Sequence, residues 1–398
     1  MIIAHVCPYY TPAIGGVKQV VEELAKRQIS KDNSNANAQF TEGNEVHVFT
    51  SDWDKNNRIE VMDEVIDGVN VHRCKHYLKV SSFSTIWPGV YSKLLELKPD
   101  VIHAHVTGHL HTYLAKKAAK KLEERCDSGC KFIITTHCPW ESKRSLPGTI
   151  ANFISYKFFP VLKYADAVIA ITPWEHKFLK AEGVKPERIH TIPNGMDKSF
   201  FNKIEPNMFK EKHNIPEHHK IVLFFGRLNY TKNPQMFIEI ADKVLKERNN
   251  ATFVMCGPDE GELEDVTNKI DSLYPRVKNN FRLLPPNRNR QDIIEMYQAS
   301  DIYLLPSRRE GLPLTIFEAY ASGLPVIGSS VNGVSYELKD KVNGFLLPHS
   351  DTNSFIKRTN FILDNERLRH QFSINNETKA KDFDWDLINK RTMEVYKK

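Results

Sequence analysis

The sequence has no apolar run long enough to cross a bilayer, for which about 20 residues are needed. The nearest stretch, residues 153–172, is interrupted by Lys157, Lys163 and Asp166. Its first residues, Met1-Ile2-Ile3-Ala4-His5-Val6, carry neither a basic leader nor a small-residue cleavage site, so no signal peptide is expected. Cysteine is scarce, with six scattered residues in 398. A chain of this length builds its own core without disulfides, and reduced thiols in a cytoplasm are the simplest reading. An excess of one charge is also missing. Against 55 basic residues stand 49 acidic ones, a net charge of +6 shared evenly between the two halves. A dedicated nucleic-acid domain would concentrate its basic residues, so no nucleic-acid partner is expected. Neither a short internal repeat nor Gly-x-Gly-x-x-Gly is present, which excludes solenoids and the usual dinucleotide fingerprint. No Asp-x-Asp pair falls at a strand end. Asp52-Trp53-Asp54 reads as a loop, and Asp382 to Asp386 precedes the last helix.

What is present is alternation. Short β-rich runs are expected at Ile2–Val6, Val46–Thr50, Val69–Arg73, Val101–Ala104, Phe132–Thr135, Ala167–Ile171 and Ile189–Ile192. A second set follows at Ile221–Phe225, Thr252–Met255, Phe281–Leu284, Ile302–Leu305, Pro325–Ile327 and Gly344–Leu347. Helical patterns such as Val17–Ser30, Gly108–Glu124 and Pro173–Glu182 lie between them. Strands interleaved with helices predict an α/β fold of parallel sheets covered on both faces. The pattern restarts near Ile221, after Pro193-Asn194-Gly195-Met196-Asp197. Two doubly wound, Rossmann-like domains facing across a cleft are therefore expected, residues 1–197 with a closing helix at 384–398, and residues 198–383. Ligands of such sheets bind at the carboxyl ends of strands. The polar, Asn-rich segment from Ser30 to Asn44 reads as a surface loop.

Several motifs fall at those strand ends. Gly15-Gly16 either lets a ligand approach the backbone ahead of a helix start or makes a plain tight turn. Arg227 and Lys232 share one loop and either converge on a diphosphate or are simply solvated. Glu310 lies in the loop after Ile302–Leu305, and Glu318 one turn inside a helix starting near Leu314. Carboxylates accept from sugar hydroxyls, while Leu314 and Thr315 offer free N–H groups to phosphate. The alternative is two glutamates complementing a helix dipole. Histidines cluster as His103-Ala104-His105 and His109-Leu110-His111, but no cysteine or carboxylate set joins them at a structural zinc spacing, so no metal is expected. His137 follows a strand directly and either meets a ligand or is satisfied by nearby backbone. Lys116, Lys117, Lys120 and Lys121 share a helix. Trp140, Lys143 and Arg144 precede Phe153, Ile154, Tyr156, Phe158, Phe159 and Leu162. Together these suit an anionic membrane surface, or else a solvated helix beside core aromatics.

In order and placement, these motifs resemble the retaining nucleotide-sugar glycosyltransferases of family four, which have the GT-B fold. The resemblance runs from Gly15-Gly16 through His137, Pro193 to Asp197, Gly226-Arg227 with Lys232 and Gly257-Pro258-Asp259-Glu260-Gly261 to Glu310–Glu318. The last is similar to the family's pair of glutamates separated by seven residues. The resemblance implies transfer of a sugar from a nucleotide diphosphate to an acceptor hydroxyl with retained configuration, the expected acceptor being a lipid-linked or cell-surface glycan precursor. By this likeness Arg227 and Lys232 hold the diphosphate, Glu318 the ribose and Glu310 the donor sugar. Gly15 and Gly16 close over the phosphates, Gly257 lines the donor site, and His137 lies near the reacting sugar. No cofactor or metal is implied beyond the donor. One departure is Leu312-Pro313 after Glu310-Gly311, where the family often has an aromatic residue. The location expected is cytoplasmic, either free or peripheral on the cytoplasmic membrane face. The competing readings are a nucleotide-sugar epimerase of the same fold, a non-catalytic sugar-nucleotide-binding protein, and a phosphorylase with a pyridoxal phosphate lysine.

Overall fold

A computed structural model of the chain describes every residue except 14, 30–42, 55–56, 82–83, 125–128, 138–159, 203–206 and 288. The expected loop from Ser30 to Asn44 thus lies almost entirely outside the described residues. Two compact units form, Met1–Asn194 with Trp385–Lys398, and Gly195–Asp384.

Among the described residues, the main sheet of the first unit has eight strands: β1 (Ile2–Val6), β2 (Glu45–Ser51), β3 (Asp63–Ile66), β4 (Val69–Cys74), β7 (Val101–His105), β8 (Lys131–Thr135), β9 (Ala167–Ala170) and β10 (Ile189–Thr191). Their order is β10-β9-β8-β7-β1-β2-β4-β3, parallel except for the β3–β4 pair. A small hairpin, β5 (Leu78–Ser81) with β6 (Ser84–Ile86), stands apart. All five residues of β7 are buried, as the two-sided cover of a parallel strand demands. Helix Gly16–Ile29 buries Val20, Val21, Leu24, Ala25 and Gln28, one stripe at helical spacing. The C-terminal helix Trp385–Lys397 belongs to this unit and buries Trp385, Ile388, Thr392, Val395 and Tyr396.

The second unit has six parallel strands in the order β13-β12-β11-β14-β15-β16. They are β11 (Lys220–Phe225), β12 (Ala251–Cys256), β13 (Phe281–Leu284), β14 (Ile302–Leu305), β15 (Val326–Ser329) and β16 (Gly344–Leu347). Phe237, from helix Pro234–Glu247, packs against Phe224, Phe253 and Phe281 at ring distances of 5.4–5.9 Å. Truncating such a buried ring to alanine costs about 3–5 kcal/mol.

All the expected strands are present, with ends shifted by a residue or two. Strands β3, β5 and β6 were not foreseen, because they are short and mostly polar or exposed. The expected helix Pro173–Glu182 starts as a 3-10 turn over Pro173–Glu175 and becomes α-helical over His176–Ala181. It stops before Gly183, whose φ of +81° needs no Cβ.

Candidate functional site

In the second unit, β11 is flanked by β12 on one side and β14 on the other, so the winding reverses beside it. The loops leaving the carboxyl ends of β11, β12 and β14 hold the residues singled out in the sequence. Asn229 folds the first loop on itself: its Oδ1 accepts from Thr231 Oγ1 at 2.8 Å and from the Lys232 N–H at 3.0 Å. That loop is joined to the next by Leu228 N–H to Pro258 O at 2.8 Å and Glu260 N–H to Leu228 O at 3.0 Å. A Cβ on Gly257 would lie 1.8 Å from the Gly226 carbonyl oxygen, so only glycine allows this approach. Gly257 therefore has a packing reason to be glycine, independent of any ligand.

The two cations of this loop have different partners. Arg227 Nη1 lies 2.8 Å from Glu260 Oε2, which also accepts from Asn229 Nδ2 at 3.0 Å. Lys232 Nζ lies 2.6 Å from Glu310 Oε1, which also accepts from Ser307 Oγ at 2.6 Å. Both Lys232 and Glu310 are buried, while Arg227 keeps a third of its side chain exposed. Next along the chain, helix Leu314–Ala321 begins after Pro313 with no side-chain cap. The N–H groups of Leu314 and Thr315 thus start the helix without side-chain acceptors, where its dipole favours an anion. A Cβ on Gly333 would lie 1.5 Å from the Gly311 carbonyl oxygen, so helix Asn332–Glu337 packs directly on the loop that carries Glu310. Leu312, at the position of the departure noted above, is buried in that loop.

Glu318 is held separately. Tyr297 donates its hydroxyl to Glu318 Oε2 at 3.1 Å, and Arg290 Nη1 lies 3.5 Å from Oε1. Arg290 in turn lies over the Phe200 ring at 4.5 Å and 3.3 Å from Asp197. Burial raises the Glu318 carboxyl above the ordinary carboxylate range, and Arg290 opposes it.

In the first unit the reversal lies between β1 and β7. Gly15 and Gly16 lead from the loop after β1 into helix Gly16–Ile29, and a Cβ on Gly16 would meet nothing within 4 Å. Crowding thus does not require glycine there, and space remains at the helix start. His137 follows β8 with φ +55°, and Val106 follows β7 with φ +69°. Two side-chain-bearing residues in the left-handed region on neighbouring strand ends mark local strain of the kind found at functional sites. The turn before His137 is anchored below by Glu175, which accepts from Thr136 Oγ1 and from the N–H groups of Ile171 and Thr172. His5, His103 and His105 bring ring nitrogens within 4.8 Å of one another. Every one of those nitrogens is already engaged in a hydrogen bond, and His109 and His111 are not part of the group.

On helix Leu110–Glu123, Lys116 lies over the rings of Tyr113 and Tyr164 at 4.5 and 4.6 Å, while Lys117 and Lys120 are exposed and Lys121 is partly so. Leu162 is buried in the core and does not belong to a surface. Trp140, Lys143, Arg144, Phe153, Ile154, Tyr156, Phe158 and Phe159 lie outside the described residues. Among the described residues no helix is long and apolar enough to cross a membrane. The sequence reading missed Ser307, Arg290, Tyr297 and the pairing role of Glu260. Only Glu260 had a local signal, in the motif Gly257–Gly261.

Comparison with known proteins identifies the family and the fold. Residues 14–200 match the family described as Glycosyltransferase Family 4, and residues 207–379 match Glycosyl transferases group 1. The UDP-Gal:alpha-D-GlcNAc-diphosphoundecaprenol alpha-1,3-galactosyltransferase of Escherichia coli is 36% identical over 289 residues, 70% of each chain. D-inositol 3-phosphate glycosyltransferase 1 of Catenulispora acidiphila is 25% identical, covering 75% of this chain and 72% of its own. Among solved structures, HepE of Anabaena in complex with UDP and glucose superposes with a TM-score of 0.74 at 17% identity, over 100% of this chain and 99% of that one. Sucrose-phosphate synthase from Thermosynechococcus elongatus gives 0.72 at 19% identity, over 100% and 98%. The chain has the GT-B fold and belongs to the family-four glycosyltransferases, enzymes that take a sugar from a nucleotide-sugar donor.

Proposed function

We propose that this enzyme moves a hexose from a UDP-hexose to a hydroxyl of a lipid-diphosphate-linked sugar, with retention and without a metal ion. The observation that carries the reading is the buried Lys232–Glu310 pair beside the uncapped start of helix Leu314–Ala321, at the reversal point of the sheet. The UDP-hexose donor and the lipid-linked acceptor rest on the 36% identical relative, whose name includes both.

The chemistry assigns a task to each side chain. The bond from the anomeric carbon to the diphosphate oxygen breaks, and its electron pair stays on the leaving diphosphate. Negative charge grows there, and Lys232, Arg227 and the N–H groups of Leu314 and Thr315 are the donors that meet it. Positive charge grows on the sugar, beside the carboxylate of Glu310. Glu318 holds the ribose hydroxyls. The acceptor oxygen attacks from the face the diphosphate leaves, and its proton passes to a leaving phosphate oxygen. Lys117 and Lys120, at about 1 kcal/mol for each basic residue near an anionic surface, help bring the enzyme to a membrane-borne acceptor.

The test compares UDP-, GDP- and ADP-sugars for thermal stabilisation and for transfer to an undecaprenyl-diphosphate-linked sugar. UDP-hexose is expected to stabilise the protein and to be consumed only with acceptor present. Turnover to an epimer without acceptor would establish the rival reading. Flotation with anionic but not neutral liposomes is expected, and equal behaviour with both would argue for a soluble acceptor.

A further inference from the structure

Of the histidines in the first unit, the family resemblance sets only His137 near the reacting sugar, yet His5, His103 and His105 are completely buried beside it. Period-two geometry puts His103 and His105 on one face of β7, and strand register sets His5 of β1 opposite His103. We infer that Gln28 fixes the tautomer of His137 through a relay of neutral histidines, leaving Nδ1 of His137 as a lone-pair acceptor for a substrate hydroxyl. The substrate contact rests on the proposed glycosyl transfer and on the place beside the sugar that the family resemblance gives His137, whereas the relay stands on its own.

The direction of the relay follows from its first member. Gln28 is buried on helix Gly16–Ile29, with its Oε1 2.7 Å from His5 Nε2. An amide oxygen only accepts, so His5 carries its proton on Nε2. A neutral imidazole has one N–H, so His5 Nδ1 accepts, and its partner at 3.0 Å is His105 Nε2. The same rule makes His105 Nδ1 accept from His137 Nε2 at 3.1 Å. Nδ1 of His137 is then the unprotonated end, and among the described residues it has no hydrogen-bond partner.

A second branch agrees. Gln28 Nε2 donates to the Tyr396 hydroxyl at 3.2 Å. Tyr396 keeps its own proton to donate to His103 Nδ1 at 2.6 Å, and in that arrangement His103 Nε2 donates to Thr135 Oγ1 at 2.7 Å. All four rings are thus Nε2–H tautomers. Burial keeps them neutral, pushing His5 down to about 4 and His137 to about 3, with His103 and His105 well below the usual histidine range. A metal held by His5, His103 and His105 would have to break the His5–His105 bond and one bond of His103. Gln28, His5 and His105 are therefore positioning residues, and the left-handed backbone at His137 aims the ring they orient.

Long-range proton–nitrogen correlation spectra of the full-length, histidine-labelled enzyme read tautomers directly. The ligand-free wild type is expected to show His137 entirely as the Nε2–H form. A wild-type His137 with its proton on Nδ1 would overturn the relay, because every proton would then run the other way. In Gln28→Met the director is gone, and a second His137 tautomer of comparable intensity is expected, with donor KM raised roughly 2- to 12-fold, the worth of one hydrogen bond. A single unchanged tautomer in that variant would also overturn the relay. Tyr396→Phe keeps Gln28 Oε1 against His5, so His137 should hold its tautomer while only the His103 signals move. Zinc bound at one per chain in the purified protein and lost in His103→Phe would replace the relay with a metal site. Addition of UDP-hexose is expected to shift the Nδ1 signal of His137. No shift, with the Nε2–H form intact, would contradict the substrate contact and leave the relay standing.

Discussion

Lys232 Nζ and Glu310 Oε1 lie 2.6 Å apart across 78 residues of sequence, and each residue is less than a tenth exposed. Ser307 supplies the further donor that a buried carboxylate needs. Removing one member leaves the other charged and uncompensated. Lys232→Met is therefore expected to cost about 3–5 kcal/mol of stability, and the Lys232→Met/Glu310→Gln double variant clearly less than the sum of the singles. Urea unfolding of the four proteins measures this coupling. Additive losses would mean that the pair does not interact energetically.

Kinetics should separate the cations from the ribose contact. In the proposed role, the charge that Arg227 meets would grow as the diphosphate leaves, so Arg227→Ala is expected to lower kcat by roughly 10- to 150-fold, the worth of a charge-assisted hydrogen bond. The ribose does not change during reaction. Glu318→Gln keeps an acceptor for Tyr297 and should raise the donor KM while leaving kcat nearer the wild-type value. Steady-state rates at saturating acceptor check both. The reverse pattern would exchange the two roles.

Acidity gives Glu318 a second signature. Burial raises its carboxyl above the usual value of 4.5. Holding ribose hydroxyls calls for the ionised form, so donor affinity should fall with acid while the pH is still above the ordinary carboxylate range. Glu318→Gln should abolish that acid limb. Stability moves the opposite way for this group, because its folded pKa lies above its unfolded one. Its favourable contribution is full below the ordinary value and is lost as pH rises through the raised one.

The histidines predict the opposite trend in stability. Unfolded, each protonates near 6.5, whereas folded His5 does so only near 4 and His137 near 3. The unfolded chain binds more protons between those limits, so stability falls as pH drops from about 6.5 to 4 and is regained above 6.5. For His5 alone the change is roughly 3 kcal/mol. Urea midpoints between pH 7.5 and 4.5 measure it, and a flat profile would contradict neutral burial of the cluster.

Much of this was readable from sequence because it is local. Apolar runs of four to seven residues mark the buried parallel strands, Arg227, Lys232 and Glu310 stand in loops directly after them, and Glu318 stands in the helix that follows Glu310. Strand β3 escaped because its residues alternate between partly buried and exposed, without an apolar run. The partners escaped because they come from distant chain. Nothing near Glu318 announces Tyr297 or Arg290, and Tyr396 reaches His103 across 293 residues. His103-Ala104-His105 gave a weak metal signal, since spacing alone cannot reveal that Thr135 and Tyr396 satisfy His103 while His5 and His137 satisfy His105.

The central claim is that fixed side-chain cations, not a metal, neutralise the leaving diphosphate. The direct measurement is transfer of labelled hexose from UDP-hexose to the lipid-linked acceptor in excess EDTA, for wild type and Lys232→Met. Undiminished wild-type transfer and at least a tenfold lower rate in folded Lys232→Met are expected. Transfer lost in EDTA and restored by manganese or magnesium, with Lys232→Met close to wild type, would contradict the account.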